Sequence, residues 1–544
     1  MNTAPRRDER ILVIDDQSLA QGFFRFALEQ LGYQNIFLAE RANVALNLCR
    51  DNQFDLIICA HNQQQGKDGF QLYEEIKAKG LQQLSCAIIF ISAETDPSLV
   101  HSVIELQPDE FLAKPFVIKD LQLRIERVLR RKQQLREVYQ ALDARDDNKA
   151  LVAIDSQLAD ARQHKLFPLL LRLKGDILLR QADDVATEKF FRAMLNIQSF
   201  SWARMGLVRC QLAQGKEQQA FSELEALLER SESRLFALDL LAELEFKQQH
   251  YQQAQQHLLQ AAELAPRNMF RQQKLLQLSR INHDYENQYR AARDMVKYAR
   301  YSMYEQPDLY LTLARASIDY ALSVDDEEQS SRLNRQAAVS LSTAQRQYAS
   351  GSNTALESQQ QVLQARLLYL QDHKDKAQAM LSTLEPLQEI TSVEGALDRA
   401  KALHEVGLSQ ASAELFRQIS NHCQRQLADP LFNRYLQQEQ QERLAMRLGP
   451  RELNNNAVTL YKQGNWQEAF DAFSLAYKVM PKNAGIALNL WQTLLTSPLS
   501  LCAPSDKQRL LDQCQVLIEN SVLKQEQQQR YQQLKLKHLH HQTY

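Results

Sequence analysis

The chain is poor in the residues that make sharp turns. Its 544 residues include only 14 glycines and 13 prolines, against average usages of about 7% and about 5%. Sandwiches, propellers and barrels need frequent turns of positive or fixed φ, so this shortage argues against them. It also excludes collagen-like and Gly/Pro-rich disordered chains. Cysteine is scarce too: Cys49, Cys59, Cys86, Cys210, Cys423, Cys502 and Cys514 are scattered, odd in number and form no CxxC pair. That pattern argues against zinc and disulfide frameworks and fits a reducing cytoplasm. Neither sign of charge dominates, with 64 Lys+Arg against 66 Asp+Glu and a net charge of −2. No global basic field therefore points to nucleic acid or an anionic membrane. No stretch approaches 18 uninterrupted apolar residues, so no membrane span is expected. The opening MNTAPRRDERILVIDDQ runs into an acidic pair rather than the apolar segment of a secretory signal. What is present is 44% hydrophobic residues, enough for real cores, in a length that suggests three or four units at about 150 residues each. Helices with short connections are the expected default.

The first 130 residues read differently from the rest. Short apolar runs alternate with helical patterns: RILVI (Arg10 to Ile14), a helix from Ser18 to Leu31 closed by Gly32, FLA near Phe37, and a helix through Arg50. DLIICA (Asp55 to Ala60) is followed by a helix from Gly69 to Gly80, then by AIIFIS (Ala87 to Ser92), EFLAK (Glu110 to Lys114) and a final helix from Asp120. Such alternation implies βαβ crossovers and a parallel sheet covered on both faces. In these sheets ligands bind at the carboxyl ends of the strands. There the sequence puts Asp15 and Asp16, Ala60, Ser92 and Lys114. Adjacent carboxylates suit a hard cation such as Mg²⁺, and a hydroxyl and an ammonium beside them suit a phosphoryl group.

With these motifs the segment resembles the receiver domain of two-component response regulators. The matching pieces are VIDDQ (Val13 to Gln17), GKDG (Gly66 to Gly69), ISA (Ile91 to Ala93) and KPF (Lys114 to Phe116), with Phe111 at the aromatic switch position. The resemblance covers roughly residues 9 to 130 and implies a flavodoxin-like α/β fold. It also implies an acidic pair that holds Mg²⁺ and an aspartate, ending the third strand, that accepts phosphate from a histidine kinase. This sequence departs at that aspartate. Counting forward from Asp55 places Ala60 there, and counting back from Asp68-Gly69 by the commonest spacing places His61. Ala60 is preferred, because relatives with a GKDG loop carry one more loop residue. Neither residue is an aspartate, and a methyl group forms no acyl phosphate. Asn62 retains a carbonyl for a metal, so any Mg²⁺ site made with Asp15 and Asp16 is weak and no cofactor is required. The alternative is that the acidic pair holds no metal and that Ser92 and Lys114 are relics, Lys114 pairing with Asp15 or Asp16.

From about Gln133 onward the pattern is helix after helix. Windows of 34 residues from Phe167, Ser201 and Leu235 align Ala186, Ala220 and Ala254, then Phe190, Leu224 and Leu258, then Ala193, Leu227 and Ala261. Windows from Ser358 and Ser392 align Ala377 with Ala411 and Leu381 with Leu415. The clearest copy starts at Pro450, with Ala457, Leu460, Gly464, Trp466, Ala469, Phe473, Ala476 and Pro481. Small residues let two helices approach and a large one fills the neighbouring gap, and a single pair buries too little alone, so pairs stack. NNAVTLYKQGNWQEAFDAFSLAYKVMPKN looks like a tetratricopeptide repeat, and LAELEFKQQHYQQAQQHLLQAAELAPRN matches nearly as well. That resemblance implies a concave surface that binds peptides or helices of partner proteins. DDEEQSSRLNRQ (Asp325 to Gln336) and ASGSNTALESQQ (Ala349 to Gln360) read as the most loop-like stretches, and the Tyr/Arg-rich region Met269 to Ser323 as helical but poorly matched. Its tyrosines suit an interface or internal packing.

The expected organisation is a tail (1–8), a receiver-like domain (9–131), a helical array (132–324), a second array with irregular linkers (325–449), and a terminal repeat with closing helices (450–544). RIERVLRRKQQLR (Arg124 to Arg136) is basic enough to touch nucleic acid, although a solvated helix face is the simpler reading. The tail histidines His538, His540 and His541 suit a metal less well than a frayed terminus. No nucleophile elbow, phosphate-binding loop or HExxH motif appears, so the chain is not expected to be an enzyme. The reading that follows is a signalling adaptor that works without phosphate. Its partners are other proteins on the helical array, and a second copy or a signalling partner on the receiver. The alternatives are nucleic-acid binding through the basic linker, and a receiver still switched by metal, ligand or partner or by non-standard phosphorylation in a phosphorelay, on His61 or Asp68.

Overall fold

The computed structural model describes residues 7–61, 66–181, 184–324, 326–348, 354–385, 389–426, 429–446, 450–498, 500–521 and 523–542. The chain divides into two compact units, Met1–Arg271 with Lys297–Glu305, and Gln272–Val296 with Gln306–Tyr544.

The first unit opens with a doubly wound α/β domain. Its strands are β1 (Arg7–Ile14), β2 (Tyr33–Ala39), β3 (Leu56–Ala60), β4 (Ala87–Ser92) and β5 (Glu110–Ala113). Its helices are α1 (Ser18–Gln30), α2 (Ala42–Asp51), α3 (Gly69–Ala78), α4 (Pro97–Glu105) and α5 (Ile118–Gln134). The sheet is parallel in the order β2-β1-β3-β4-β5. Ile11, Val13, Ile58 and Ile89 pack on one face, and Leu12, Ile57 and Phe90 on the other. Burial on both faces explains why these strands read as continuous apolar runs rather than alternating ones. Each such side chain contributes about 1.5–3 kcal/mol relative to exposure. Helix α4 was missed in the sequence, although its signal is plain: Asp96 caps the amides of Ser98 and Leu99, and Pro97 takes the first helical position.

Among the described residues 22 α-helices follow. Seven of their connections share one corner: a residue of positive φ, after which the next N–H bonds the carbonyl five residues back. It recurs at Gly215 (Lys216 N to Gln211 O, 2.8 Å), Gln249 (His250 N to Glu245 O, 2.8 Å) and His283 (Asp284 N to Ser279 O, 2.8 Å). Arg145, Asp372, Gly407 and Gly464 make the same bond. Only three of these seven corners use glycine, which is how a helical chain this long manages with so few. The spacing Gly215–Gln249–His283 is 34 residues at each step, so the period runs on into the region that matched poorly by sequence. The mismatch has a simple cause: Gln288, fully buried, stands one period after Ala254.

Three further expectations need correction. Ala186 and Ala411 are exposed, and the buried small residues are their neighbours Thr187 and Ser412. Their hydroxyls donate to the Leu178 and Ala400 carbonyls at 3.3 and 2.8 Å, so a search keyed on alanine slipped by one residue. Large residues shift with them, Phe191 being buried rather than Phe190 and Phe416 packing beside Leu415. The supposed loop Asp325 to Gln336 is mostly the start of a helix, Glu327–Tyr348, because Asp326 accepts from the amides of Glu328 and Gln329 and the acidic run suits a helix start. The second supposed loop likewise enters the helix Thr354–Leu370.

Ala220, Ala254, Ala377, Ala457, Ala469, Phe473 and Ala476 are buried, and Pro481 follows the helix Trp466–Val479. The tyrosines of the Tyr/Arg-rich region pack internally: in the second unit Tyr289 lies against Tyr320, and Tyr285 donates to the Val479 carbonyl at 3.0 Å. Among the described residues no helix is long and apolar enough to cross a membrane. The side chains of His538, His540 and His541 lie outside the described residues.

Candidate functional site

The carboxyl ends of β1, β3, β4 and β5 bring the expected residues to one edge of the sheet. Asp15 follows β1 and is almost fully buried. Its carboxylate accepts from the Gln17 amide at 3.0 Å and from Lys114 Nζ at 3.1 Å. Asp16, half-buried, is next on the same turn. Ala60 is the last residue of β3 and pairs with Ile91 of β4. His61 begins the loop, its amide donating to the Ile91 carbonyl at 2.7 Å. Ser92, fully buried, ends β4 and accepts from the Glu94 amide at 2.9 Å through its hydroxyl oxygen. Lys114 follows β5, with its own amide on the Ser92 carbonyl at 2.8 Å. Phe111 turns inward and stacks on Phe90, ring centroids 6.1 Å apart. Asn62 lies outside the described residues.

This edge carries a cation, two carboxylates and a hydroxyl, yet the end of β3 offers only a methyl group. The donor set does not suit a tight Mg²⁺ site. A hard cation wants several oxygens, and Lys114 already compensates Asp15. Among the described residues no group of three or more His, Cys, Asp or Glu side chains is placed to hold a metal.

Two other residues near β3 that could take a phosphoryl group, Asp68 and His61, are engaged elsewhere. Asp68 caps α3, accepting from the Gln71 amide at 2.8 Å, and its second oxygen accepts from Arg267 at 2.7 Å. His61 is buried against Phe90, with Nε2 3.6 Å from Glu94. Burial, helped by Arg267 and opposed by Asp68 and Glu94, holds its pKa below the ordinary histidine value. Gly69 is required here, because a Cβ would run into the Ala60 carbonyl.

The basic run on α5 is largely spoken for. Arg124 and Arg127 pair with Glu110, and Arg131 and Lys132 with Asp109.

Two sets of polar residues escaped the sequence reading. Arg267 and Arg271 reach α3 and α4 from the far end of the first unit. In the second unit a buried ionic network links Arg280, Arg315, Arg366, Lys401 and Arg443 with Asp319, Glu394, Asp398, Glu405 and Glu439. A visible signal was Arg315, set four residues before Asp319 inside the apolar run YLTLARASIDYAL. Such charges are tolerated inside only in pairs.

A five-stranded parallel sheet with an acidic turn after β1, a serine ending β4 and a lysine after β5 defines a receiver of the two-component type. Residues 11–126 match the family described as "Response regulator receiver domain", and that segment is a response regulator receiver domain. Transcriptional activator protein IrlR of Burkholderia pseudomallei (strain 1026b) is 28% identical over 175 residues, 31% of this chain and 74% of that protein. Probable chemotaxis protein CheY of Rhizobium etli is 27% identical over 119 residues, 22% of this chain and 91% of that protein. Among solved structures, the receiver domain of the Francisella response regulator 1452 is 24% identical, with a TM-score of 0.21, covering 23% of this chain and 98% of that one.

Proposed function

We propose that this protein is a two-component signalling regulator that acts as an adaptor between proteins, is not phosphorylated and is not an enzyme. The observation that carries this reading is Ala60. It ends β3 beside Asp15 and Lys114, where the acceptor aspartate of a receiver is expected, and it has no oxygen to attack a phosphoryl group. Lys114 rests on Asp15 instead, and Phe111 is already packed inward. A receiver with these features is a fixed docking surface rather than a phosphate switch, working in the cytoplasm without Mg²⁺.

The helical region is the scaffold, built of tetratricopeptide-like pairs. The 34-residue step between corners and the buried Ala220, Ala254, Ala469 and Ala476 support this. Its partners are proteins. The similarity to Transcriptional activator protein IrlR favours nucleic acid as a second reading, and the pairing of the α5 cations with Asp109 and Glu110 weighs against it.

The test is intact-mass measurement after incubation with acetyl phosphate and Mg²⁺. The wild-type chain is expected to gain no acid-labile phosphate, and Ala60→Asp to gain one. Stoichiometric labelling of the wild type would refute the reading. Affinity capture with the full chain separates the partners: recovery of nucleic acid without protein would favour the second reading.

A further inference from the structure

The second unit holds a cavity of about 470 Å³ between the helices Pro450–Lys462, Ala484–Thr496 and Gln525–Gln542. Its size is that of a small-ligand site. Val324, Val458 and Ile486 line it with apolar surface, and Asn454, Asn489 and Arg530 with polar groups.

The charges that line this cavity do not cancel. Glu327 and Lys524 pair with each other at 2.9 Å. Arg530, the third charged side chain of the lining, is half-buried and makes no ion pair among the described residues. Burial draws its pKa below the ordinary arginine value, and only the Tyr461 phenol opposes this. The deeply buried Arg280, Arg315 and Arg366 of the same unit each meet a carboxylate. A guanidinium drawn part-way out of water gains from an anion brought to it.

The hydrogen bonds around Arg530 run in one direction. A guanidinium has donors and no acceptor. Arg530 Nη2 therefore donates to Asn489 Oδ1 at 2.7 Å, and Nε donates to Gln492 Oε1. Asn489 in turn donates through Nδ2 to Asn454 Oδ1 at 3.0 Å. The oxygen of each asparagine is thus taken, and Asn454 is left presenting its amino group. Arg530 Nη1 is a second donor with no bond to the described residues. We propose that this cavity binds a compact monoanion, a carboxylate on a short apolar body, with Arg530 and Asn454 on its oxygens and Val324, Val458 and Ile486 around its body. One uncompensated cation matches a carboxylate, whereas a phosphate dianion would leave negative charge in excess beside apolar side chains. A free organic acid and the C-terminal residue of a peptide share this chemistry. The site lies wholly in the second unit, so neither the reading of Ala60 nor the acetyl phosphate result bears on it.

Titration calorimetry and saturation-transfer NMR on the full chain test this with isocaproate, isocaproamide, inorganic phosphate, and acetyl-Ala-Ala-Leu as free acid and as amide. The two acids should bind, and the amides and phosphate should bind at least about tenfold more weakly, the worth of one charge-assisted hydrogen bond. Arg530→Met should weaken the acids by at least about tenfold, and Arg530→Lys, which keeps the charge, should weaken them less. Asn454→Ala removes the second donor from a part-exposed position and should weaken them too. Urea unfolding of each variant shows whether the second unit remains folded. A peptide acid that binds more tightly than isocaproate assigns the site to a protein terminus, and equal affinity assigns it to a free acid. Absence of binding by both acids, amides or phosphate that bind as tightly, or a folded Arg530→Met or Asn454→Ala chain that binds like the wild type would overturn the proposal.

Discussion

Replacing Arg366 by methionine should unfold the second unit far more easily than a surface change would. The guanidinium is fully buried. It donates to both oxygens of Glu405, from Nη2 at 2.8 Å and from Nε at 3.1 Å, and to Asp319 at 2.9 Å. Asp398 lies 3.5 Å away. Without it, Asp319 keeps Lys401 at 3.6 Å and Gln288 at 3.2 Å. Glu405, 1% exposed, has no other ion-pair partner among the described residues. A carboxylate stranded in this way costs about 3–5 kcal/mol. With an m-value of about 3 kcal/mol/M for a unit of this size, the urea midpoint should drop by about 1–2 M. The assay is tryptophan fluorescence in a Trp202→Phe background, so that only Trp466 and Trp491 of the second unit report. Arg366→Met with Glu405→Leu should recover at least half of the loss, because the penalty belongs to the unpaired charge rather than to the missing contact. A midpoint within about 0.3 M of the parent, or a double variant as unstable as the single one, would refute this account.

Acid should weaken the same network. Despite burial, Lys401 and Arg366 hold Asp319 below the usual carboxylate range, Lys401 and Arg443 do the same for Glu439, and Arg280 for Glu394. Their stabilisation is full above about pH 4–5 and lost as pH falls below about 4. Asp398, raised by burial, works the other way and trims the effect. Urea midpoints at pH 7, 4 and 3 check this, and equal midpoints would contradict it. Gly206→Ala should cost about 1–3 kcal/mol by overpacking, because the added methyl runs into the buried Phe191 ring. Thermal unfolding followed through Trp202 reads that loss, and an unchanged transition would contradict the packing argument.

Much of the receiver was legible because its chemistry is local. Apolar runs mark β1, β3 and β4, and Asp15, Ser92 and Lys114 sit at strand ends where the pattern places them. The helical repeat was legible only where alanine fills the crossing, as at Ala220 and Ala254. Where Thr187, Ser412 or Gln288 does that job, the rule that the crossing residue is small and apolar breaks down, and the register slips or vanishes. Helix starts made of acidic residues, as at Asp326, imitate loops because the same residues cap helices and favour turns.

The shortage of glycine and proline, together with the period of the apolar residues, sufficed to establish a helical chain led by an α/β domain. The residue types at its strand ends showed that β3 finishes on a methyl group. Those facts depend on neighbours within a turn or a strand. Which charges are buried together was decided only by tertiary structure. Arg267 and Asp68 are 199 residues apart, and Arg366 finds Glu405 39 residues away. No local period encodes such pairs, because a charge becomes costly only when folding removes it from water, and only the fold determines what it then meets.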